Sequence, residues 1–286
     1  MPNKTNKFAY FGSDSFSIIV LEELLKEGFR PAIIVTTPPA PRGRGLVISP
    51  SPVKEWAIAN GVPCMEPEKF DDEVKDRLRA EKFDMFIVAS YGKILPGSVL
   101  YIPTHETLNV HPSLLPKYRG PSPIQSQILA DEKEPGVSIM LLDEQMDHGR
   151  IISSEKIEIK DWPVKSSVLK NELASRGGKL LAKIMMPWMN GNIVASPQDH
   201  EQATFTRKLS KDDGLVSLSD DGYKNYLKFC AYEDSIGVYF FAERGGKKIR
   251  VKILDVSYEN GAFAPLNVVP EGGKQMNYQD FLRGSR

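Results

Sequence analysis

The feature that most constrains this chain is the stretch from residue 108 to 120, Leu-Asn-Val-His-Pro-Ser-Leu-Leu-Pro-Lys-Tyr-Arg-Gly. Its apolar start favours a β-strand, in which successive side chains point to opposite faces. Asn109 and His111 therefore project from the same side, and Pro112 ends the strand because it has no N–H to donate. Ligands bind at the carboxyl ends of strands in open α/β sheets, so the pattern predicts an amide and an imidazole at a binding edge. The simpler interpretation is a proline turn with a hydrogen-bonded histidine.

The first third of the chain indicates the class of fold. A strand, a helix capped by Ser15 and a second strand follow one another, and this order implies a right-handed crossover and a parallel sheet. The turn Gly12-Ser-Asp-Ser lacks the Gly-x-Gly-x-x-Gly spacing, which argues against dinucleotide binding. The predicted elements are strands at 8–11, 32–36, 83–88, 107–111, 137–142 and 151–159, and helices at 15–27, 52–60, 71–79, 123–130 and 164–188.

Composition limits the possible partners and compartments. Lys plus Arg and Asp plus Glu both number 37, so any nucleic-acid contact must come from a local basic patch. The two cysteines, Cys64 and Cys230, form neither a disulfide framework nor a metal-type spacing, and we expect no metal. The polar first residues and the absence of a run of about 20 apolar residues predict a cytoplasmic protein with no membrane contact.

Residues 37–45 are too rich in proline and glycine for regular structure to be expected. Arg42 and Arg44 make this segment cationic. It is either a mobile surface loop or a flexible basic finger for a phosphate backbone. Ser51 and Pro52 then have the residue types of a helix cap and a first helical position, which predicts a helix to about Asn60.

The chain changes character near Thr206. Short strands are predicted at 215–218, 237–242 and 249–254, and Gly245-Gly246 indicates a hairpin. We therefore expect a catalytic domain at 1–200, a linker at 201–208 and a small β-rich domain at 209–286. Between Asp255 and Val268 there is little room for extra strands.

The run Asn-x-His-Pro-Ser-Leu-Leu-Pro-x-Tyr-Arg-Gly resembles the signature of the folate-dependent formyltransferases. The resemblance covers most of residues 7–218 and returns at 268–284. It implies an α/β fold with a Rossmann-like, mostly parallel sheet, followed by a small barrel-like domain of OB type, here reduced. It also implies transfer of a formyl group from 10-formyltetrahydrofolate to a primary amine.

The same resemblance implies catalytic roles for Asn109, His111 and Asp147. Asp147 follows the predicted strand at 137–142, and we expect it near His111 because parallel neighbouring strands deliver their carboxyl ends to one edge. On its own, Asp147 would be interpreted as a turn aspartate. The His111–Asp147 pair would accept the amine proton and pass it to folate N10, and Asn109 would donate to the oxyanion. Ser113 lacks a nucleophile elbow, so direct transfer is expected.

Two segments are implied to hold the folate. One is the rigid loop of Ser113, Leu114, Leu115 and Pro116. The other contains Tyr91, Gly92, Ile94 and Leu95, of which Tyr91 and Leu95 are equally compatible with the core. Arg119 either orients a carboxylate or phosphate through its two-pronged donor face or forms a structural ion pair.

Two features resemble the tRNA-acting branch, the methionyl-tRNA formyltransferases. They are the Arg-Gly-Arg-Gly loop joined to Ser-Pro-Ser-Pro-Val-Lys, and the tail Pro-Glu-Gly-Gly-Lys-Gln-Met. In that branch the loop enters the acceptor stem, which implies tRNA-binding roles for Arg42, Arg44 and Lys54. Leu46-Val47-Ile48 replaces a stretch that often carries lysines, and would provide an apolar wedge. We expect a monomer that acts on initiator methionyl-tRNA in translation initiation. The alternatives are a nucleotide-amino-sugar N-formyltransferase and a non-catalytic tRNA- or folate-binding protein.

Overall fold

The computed structural model of the chain describes residues 7–42 and 45–284. Alternating strands and helices divide into two units, which are treated one at a time. The first comprises Met1–Arg119, Gly136–Ile157 and Lys170–Phe205, and the second Gly120–Pro135, Glu158–Leu169 and Thr206–Arg286. The domain boundary that we placed near residues 201–208 stays a prediction.

The strands are, in chain order, β1 (Phe8–Phe11), β2 (Ile33–Val35), β3 (Ala40–Arg42), β4 (Val47–Ser49), β5 (Cys64–Met65), β6 (Met85–Val88), β7 (Thr107–His111), β8 (Gly136–Leu141), β9 (Ile151–Lys156), β10 (Val238–Arg244), β11 (Lys247–Glu259), β12 (Ala262–Pro270) and β13 (Met276–Asn277). The α-helices are α1 (Ser15–Lys26), α2 (Pro52–Ala59), α3 (Asp72–Ala80), α4 (Gly97–Leu100), α5 (Pro123–Leu129), α6 (Ser166–Met189), α7 (Gly222–Tyr232) and α8 (Tyr278–Arg283). Short 3-10 turns occupy His200–Gln202 and Lys211–Gly214.

The first unit contains a seven-stranded sheet with the order β5-β2-β1-β6-β7-β8-β9. The first five strands in this order, β5, β2, β1, β6 and β7, are parallel to one another. The last two, β8 and β9, are each antiparallel to the strand before them. This confirms the mostly parallel α/β sheet. We had expected Asp147 near His111 because parallel strands end at the same edge of a sheet, and that reason is wrong. Strand β8 is antiparallel to β7, and its last residue, Leu141, pairs with Leu108, so β8 ends away from His111.

Apolar side chains fill both faces of this sheet. Every residue of β1, β6 and β7 is buried, as expected for central strands covered on two sides. On one face Phe11 lies edge-on to Tyr91, with ring centroids 5.6 Å apart. On the other, Gly177 of α6 admits the helix closely: a Cβ there would lie 2.6 Å from Cγ1 of Val110.

The helix caps test the local predictions. Ser51 caps α2 as predicted, and its Oγ accepts the N–H of Lys54 at 3.0 Å. The cap of α1 is Asp14 rather than the predicted Ser15, because the Asp14 carboxylate accepts the N–H of Ser17 at 3.1 Å. Asp and Ser are about equally good caps, so sequence alone placed the start one residue late.

Residues 37–45 contain regular structure, contrary to expectation. Strands β3 and β4 form an antiparallel hairpin, in which Pro41 pairs with Ile48. A two-stranded ribbon has only edge strands, where proline is tolerated. Leu46, Val47 and Ile48 are all exposed on it. Residues 43 and 44 lie outside the described chain.

The second unit contains the antiparallel sheet β10-β11-β12-β13, and α7 packs on α5. Its open order confirms a reduced form of the predicted barrel. The Gly245-Gly246 hairpin is confirmed, with Arg244 paired to Lys247. Our expectation of little strand after Asp255 is wrong. Strand β11 continues to Glu259 and reverses through Asn260-Gly261, whose φ angles of 49° and 82° suit a tight hairpin turn.

Helices α7 and α8 were not predicted. Asp221 caps α7 by accepting the N–H groups of Tyr223 and Lys224 at 2.9 and 3.1 Å. Throughout residues 7–42 and 45–284, no helix is both long enough and apolar enough to cross a membrane.

Candidate active site

Strand β7 carries the first two predicted site residues. Asn109 is 9% exposed and His111 4% exposed, so both side chains are nearly withdrawn from solvent. Asn109 makes no side-chain hydrogen bond to any part of the chain that the structure describes. Because a buried amide normally finds partners, this one is available to a bound substrate.

His111 faces an acceptor at each ring nitrogen. Its Nε2 lies 3.2 Å from the carbonyl oxygen of Tyr118, and its Nδ1 lies 3.6 Å from Oδ1 of Asp147. A carbonyl oxygen can only accept, so Nε2 carries the hydrogen of the neutral ring and Nδ1 is the free base. The distance of 3.6 Å is too long for a hydrogen bond but close enough for an ion pair once Nδ1 is protonated.

Asp147 reaches His111 because the loop after β8 folds back. Leu141 donates its N–H to the carbonyl of Arg150 at 2.8 Å, which closes the loop at its base. Gly149 fits under it: a Cβ at this position would lie 2.0 Å from the carbonyl oxygen of Leu141. Asp147 itself adopts a φ of 50°, an uncommon conformation for a residue with a side chain. His111 and Asp147 are thus close together, by a route that differs from the predicted one, and Asn109 lies two residues before His111 on β7.

The loop after β7 is fixed by hydrogen bonds to its neighbours. The Ser113 hydroxyl donates to the carbonyl of Lys117 at 2.7 Å. The Ser138 hydroxyl of β8 donates to the carbonyl of Ser113 at 2.8 Å and accepts the N–H of Leu115 at 3.1 Å. Leu115 is buried, and Leu114 lies against Gly136. Residues 113–116 therefore form a rigid shelf beside β7.

The second predicted folate segment divides into two kinds of residue. Tyr91 and Leu95 are buried in the apolar cluster around Phe11, which agrees with the core alternative. Ile94 is 84% exposed, and Gly92 has a φ of 79°. The buried Tyr91 hydroxyl has no hydrogen-bond partner in the described chain, and burial raises the pKa of Tyr91 to about 12.

Arg119 is 3% exposed and binds two neutral side chains. Its Nε and Nη2 donate to Oε1 of Gln198 at 3.1 and 2.6 Å, and Nη2 lies 2.9 Å from Nδ1 of His200. Burial lowers the pKa of Arg119, while the charges of Asp147 and Asp143 act in the opposite direction. Neither hydrogen-bond partner is a carboxylate, so they do not form the predicted ion pair, and the alternative role of orienting a carboxylate or phosphate stays a prediction.

Gln198, which lies 51 residues after Asp147, had no predicted role. Two histidines without a predicted role are also close to this loop: the rings of His148 and His200 stack with centroids 4.1 Å apart, and Nδ1 of His148 lies 2.8 Å from Oδ2 of Asp143. In the described ranges, no group of three or more His, Cys, Asp or Glu residues has the arrangement of a metal site.

The three predicted tRNA-binding residues, Arg42, Arg44 and Lys54, differ in what the structure describes of them. Nζ of Lys54 lies 2.9 Å from Oε2 of Glu66, and both side chains are partly buried. The ammonium is therefore neutralised by a carboxylate and is not a free cation for phosphate. Arg42 lies in β3. Arg44 lies outside the described residues.

One face of the second unit is both cationic and aromatic. Paired strands β10 and β11 direct Phe241, Lys248, Arg250 and Lys252, with the buried Tyr239 and the exposed Glu243, to the side opposite Val238, Phe240 and Val251. The Arg250 guanidinium lies 3.6 Å from the Tyr239 ring centroid, and Lys248 Nζ lies 4.5 Å from that of Phe241. This outer hairpin face supplies the local positive charge that a net-neutral chain needs for binding a polyanion.

Comparisons with known proteins agree with this geometry. The formyl transferase family model matches residues 6–185. Methionyl-tRNA formyltransferase of Dictyoglomus thermophilum is 35% identical over 304 residues, covering 97% of this chain and 96% of that protein. The enzyme of that name from Chloroflexus aggregans is 41% identical over 264 residues, covering 92% and 84%.

Two solved structures share the fold. Methionyl-tRNA formyltransferase from Clostridium thermocellum matches with a TM-score of 0.61 at 15% identity, covering 95% of this chain and 99% of that one. An N-formyltransferase from Helicobacter canadensis, in complex with folinic acid and dTDP-3-aminofucose, matches with a TM-score of 0.64 at 16% identity, covering 88% of each chain. Taken with the sequence identities over nearly the whole length, these findings show that the chain belongs to the methionyl-tRNA formyltransferase family.

Proposed function

We propose that this protein transfers the formyl group of 10-formyltetrahydrofolate to the α-amino group of initiator methionyl-tRNA, for translation initiation. The observation that carries the proposal is the convergence of Asn109, His111 and Asp147 at the end of β7, with Nδ1 of His111 3.6 Å from Asp147. Family membership supports the same reaction. The proposed location is the cytoplasm and the proposed working form is a monomer.

The residues around the site are compatible with a folate substrate. It would supply the formyl carbon that the amine attacks. The rigid shelf of Ser113, Leu114, Leu115 and Pro116 would support one side of it, and the exposed Ile94 next to Gly92 offers an apolar surface for a flat ring. The unpartnered Asn109 amide is a polar group that a bound substrate can satisfy.

Proton transfer is the role proposed for the His111–Asp147 pair. As the new N–C bond forms and the bond from the formyl carbon to folate N10 breaks, one proton must move from the amine to N10. An α-amino group titrates at roughly 7.7–8.0, so a nearby acceptor is sufficient at neutral pH. Nδ1 of His111 takes this proton, and the resulting imidazolium then has an acceptor at each N–H: the Tyr118 carbonyl and the Asp147 carboxylate.

Asn109 stabilises the negative charge that develops on the formyl oxygen. Its amide makes no hydrogen bond within the described residues, so its N–H need not break one to serve the substrate. Donors that are fixed in a nearly dry site are worth more than donors in water. Burial on a central strand keeps Asn109 fixed in this way.

We propose two surfaces for the tRNA. The domain of residues 209–286 would bind it through the outer hairpin face, where cations are stacked on aromatic rings. The β3–β4 hairpin would contact the acceptor stem through Arg42 and Arg44, with Leu46, Val47 and Ile48 as an exposed apolar wedge. Lys54 is not part of this proposal, because Glu66 occupies its ammonium.

The test is the transfer of a labelled formyl group from 10-formyltetrahydrofolate to charged initiator tRNA. Label on the methionine amino group, with none on uncharged tRNA, is the expected result. Transfer to a nucleotide-linked amino sugar but not to tRNA would assign the chain to the alternative activity. Binding of tRNA or folate without transfer to either acceptor would identify a binding protein.

A further inference from the structure

A buried glutamine that hydrogen-bonds neither the Asp147 carboxylate nor the His111 imidazole binds the backbone of the loop that carries Asp147. Gln198 is buried, and its Nε2 donates to the carbonyl oxygens of Asp147 at 3.0 Å and Gly149 at 2.7 Å. These two carbonyls lie on either side of His148 in the loop. Gln198 therefore fixes the backbone where Asp147 adopts its φ of 50°.

The orientation of the Gln198 amide is itself determined. Its Oε1 accepts two hydrogen bonds from Arg119, at 3.1 and 2.6 Å. A flipped amide would direct its NH₂ group at the guanidinium and its oxygen at two carbonyl oxygens. All four hydrogen-bonding positions of the amide are thus used, and only one orientation satisfies them.

Arg119 also connects this arrangement to the histidine. The residue before it, Tyr118, provides the carbonyl that binds Nε2 of His111 at 3.2 Å. The segment is anchored by the Arg119 N–H, which donates to the carbonyl of Thr204 at 2.9 Å. One dipeptide, Tyr118-Arg119, therefore sets the histidine through its backbone and the aspartate through its side chain and Gln198.

We propose that Gln198, oriented by Arg119, is a positioning residue that aims Asp147 at His111. This inference rests on the proposed function, because its effect is on the proton transfer that we assign to the pair. Pre-positioned groups account for much of an enzyme's rate, and a displacement of about 1 Å can cost about 10²-fold. The predicted effect is on kcat, because Gln198 contacts no atom that a substrate would need to displace.

The decisive substitution is Gln198→Glu. The carboxylate has nearly the same size and still accepts from Arg119, but it has no N–H for the carbonyls of Asp147 and Gly149 and would repel both. We expect kcat for formyl transfer to fall about 10- to 100-fold, with the KM values for folate and tRNA within about twofold of the unaltered protein. Gln202→Glu, an exposed residue four positions on, is the matched control and should change neither.

A double-mutant cycle separates positioning from general damage. If Gln198 acts through Asp147, Gln198→Glu should lower kcat less than about threefold when Asp147→Asn is already present. An equal loss in both backgrounds, or an unchanged kcat in Gln198→Glu alone, would overturn the inference while leaving the proposed function intact. Absence of formyl transfer by the unaltered chain would overturn both.

A second variant covers the case in which Gln198→Glu does not fold. Arg119→Lys keeps the positive charge but lacks the planar fork that donates twice to Oε1, so the amide loses its fixed orientation. The same loss of kcat is expected, again absent in the Asp147→Asn background. Circular dichroism and thermal unfolding of each variant verify that the comparison is made between folded proteins.

Discussion

The polar edge of β7 and the outer hairpin face of β10–β11 differ in how far their polar and charged side chains are exposed to solvent. At β7 the side chains of Asn109 and His111 are nearly buried, and hydrogen bonds fix the loops that surround them. On the outer hairpin face, Lys248 and Lys252 are exposed and Arg250 is partly exposed, with aromatic rings as the main neighbours. A buried site depends on geometry, whereas an exposed cationic face depends on the number of charges and on salt. Substitutions in the two regions should therefore change different kinetic constants.

The largest effect is expected from Asp147→Asn. The amide keeps the shape of the carboxylate but cannot stabilise the imidazolium of His111, so kcat should fall by about 10²–10⁴. Equilibrium binding of folate should be unchanged. Single-turnover formylation and a separate folate titration measure the two quantities. Asp76→Asn, at an exposed carboxylate on α3, is the control, and an unchanged rate in Asp147→Asn would remove the proton-transfer role.

Asn109→Ala should have the next largest effect. Loss of one donor to a developing oxyanion typically lowers kcat by about 10²–10³. The KM for tRNA should change little, because the lost hydrogen bond forms mainly in the transition state. Steady-state kinetics with both substrates measure this. A rise in KM with kcat preserved would show that Asn109 binds the ground state instead.

The outer hairpin face is tested by a triple variant in which Lys248, Arg250 and Lys252 are each replaced by Ala. We expect the KM for tRNA to rise roughly 10-fold with kcat nearly unchanged, because phosphate contacts are lost. The dependence of log KM on log salt should become shallower by about 0.9 for each contact removed. A triple variant of exposed cations in the first unit, Lys69, Arg79 and Lys183, controls for net charge. Equal effects in the two triple variants would argue against a specific face.

A smaller change of the same kind is expected for Arg42→Ala with Arg44→Ala. The KM for tRNA should rise several-fold, and far more than the KM for folate, because only two cations are lost. Kinetics with each substrate varied in turn measure the ratio. Equal changes in both constants would argue against a tRNA-binding hairpin.

The smallest effect is expected from Tyr91→Phe, which distinguishes a core tyrosine from a folate-pocket tyrosine. The buried hydroxyl has no described partner, so its removal should leave the free energy of unfolding unchanged or raise it by about 1 kcal/mol. Tyr10→Phe is the matched control: it removes a bond to the carbonyl of Ser17 at 2.8 Å and should cost about 0.5–1.5 kcal/mol. A raised KM for folate in Tyr91→Phe would assign the hydroxyl to the pocket.

Truncation near Lys208, the obvious way to test a separate C-terminal domain, would not give a clean answer. The second unit includes residues 120–135 and 158–169, and α5 packs against α7. A chain ending at Lys208 would leave α5 without this partner and expose apolar surface. Substitutions on the outer hairpin face avoid this damage.

The sequence predicted the local chemistry of the site better than the path of the chain. The alternation that placed Asn109 and His111 on one face depends only on strand geometry, and the structure confirms it. The direction of β8 does not follow from alternation, because the pattern of alternating side chains is the same in both directions along a strand. The predicted proximity of Asp147 to His111 was therefore correct, but the reason given for it was wrong. Gln198 could not be predicted, because its role depends on a contact across 51 residues.

The fold of the second unit shows a different kind of gap. Asn260-Gly261 is a strong hairpin signal in the sequence, and it predicts that β11 and β12 continue up to a tight turn at these two residues. Helix α7 was not predicted because its sequence is rich in aromatic residues, which also favour β-strands. Its cap at Asp221 was the one local sign of a start.

The hydrogen bond from His111 to Tyr118 has a genetic consequence. The acceptor is a peptide carbonyl, which every amino acid at position 118 would also provide. The tautomer of the His111 ring is therefore insensitive to the side chain at position 118, provided the backbone keeps its φ of 61°. An alanine scan of this loop would leave the carbonyl in place and would therefore overlook this hydrogen bond.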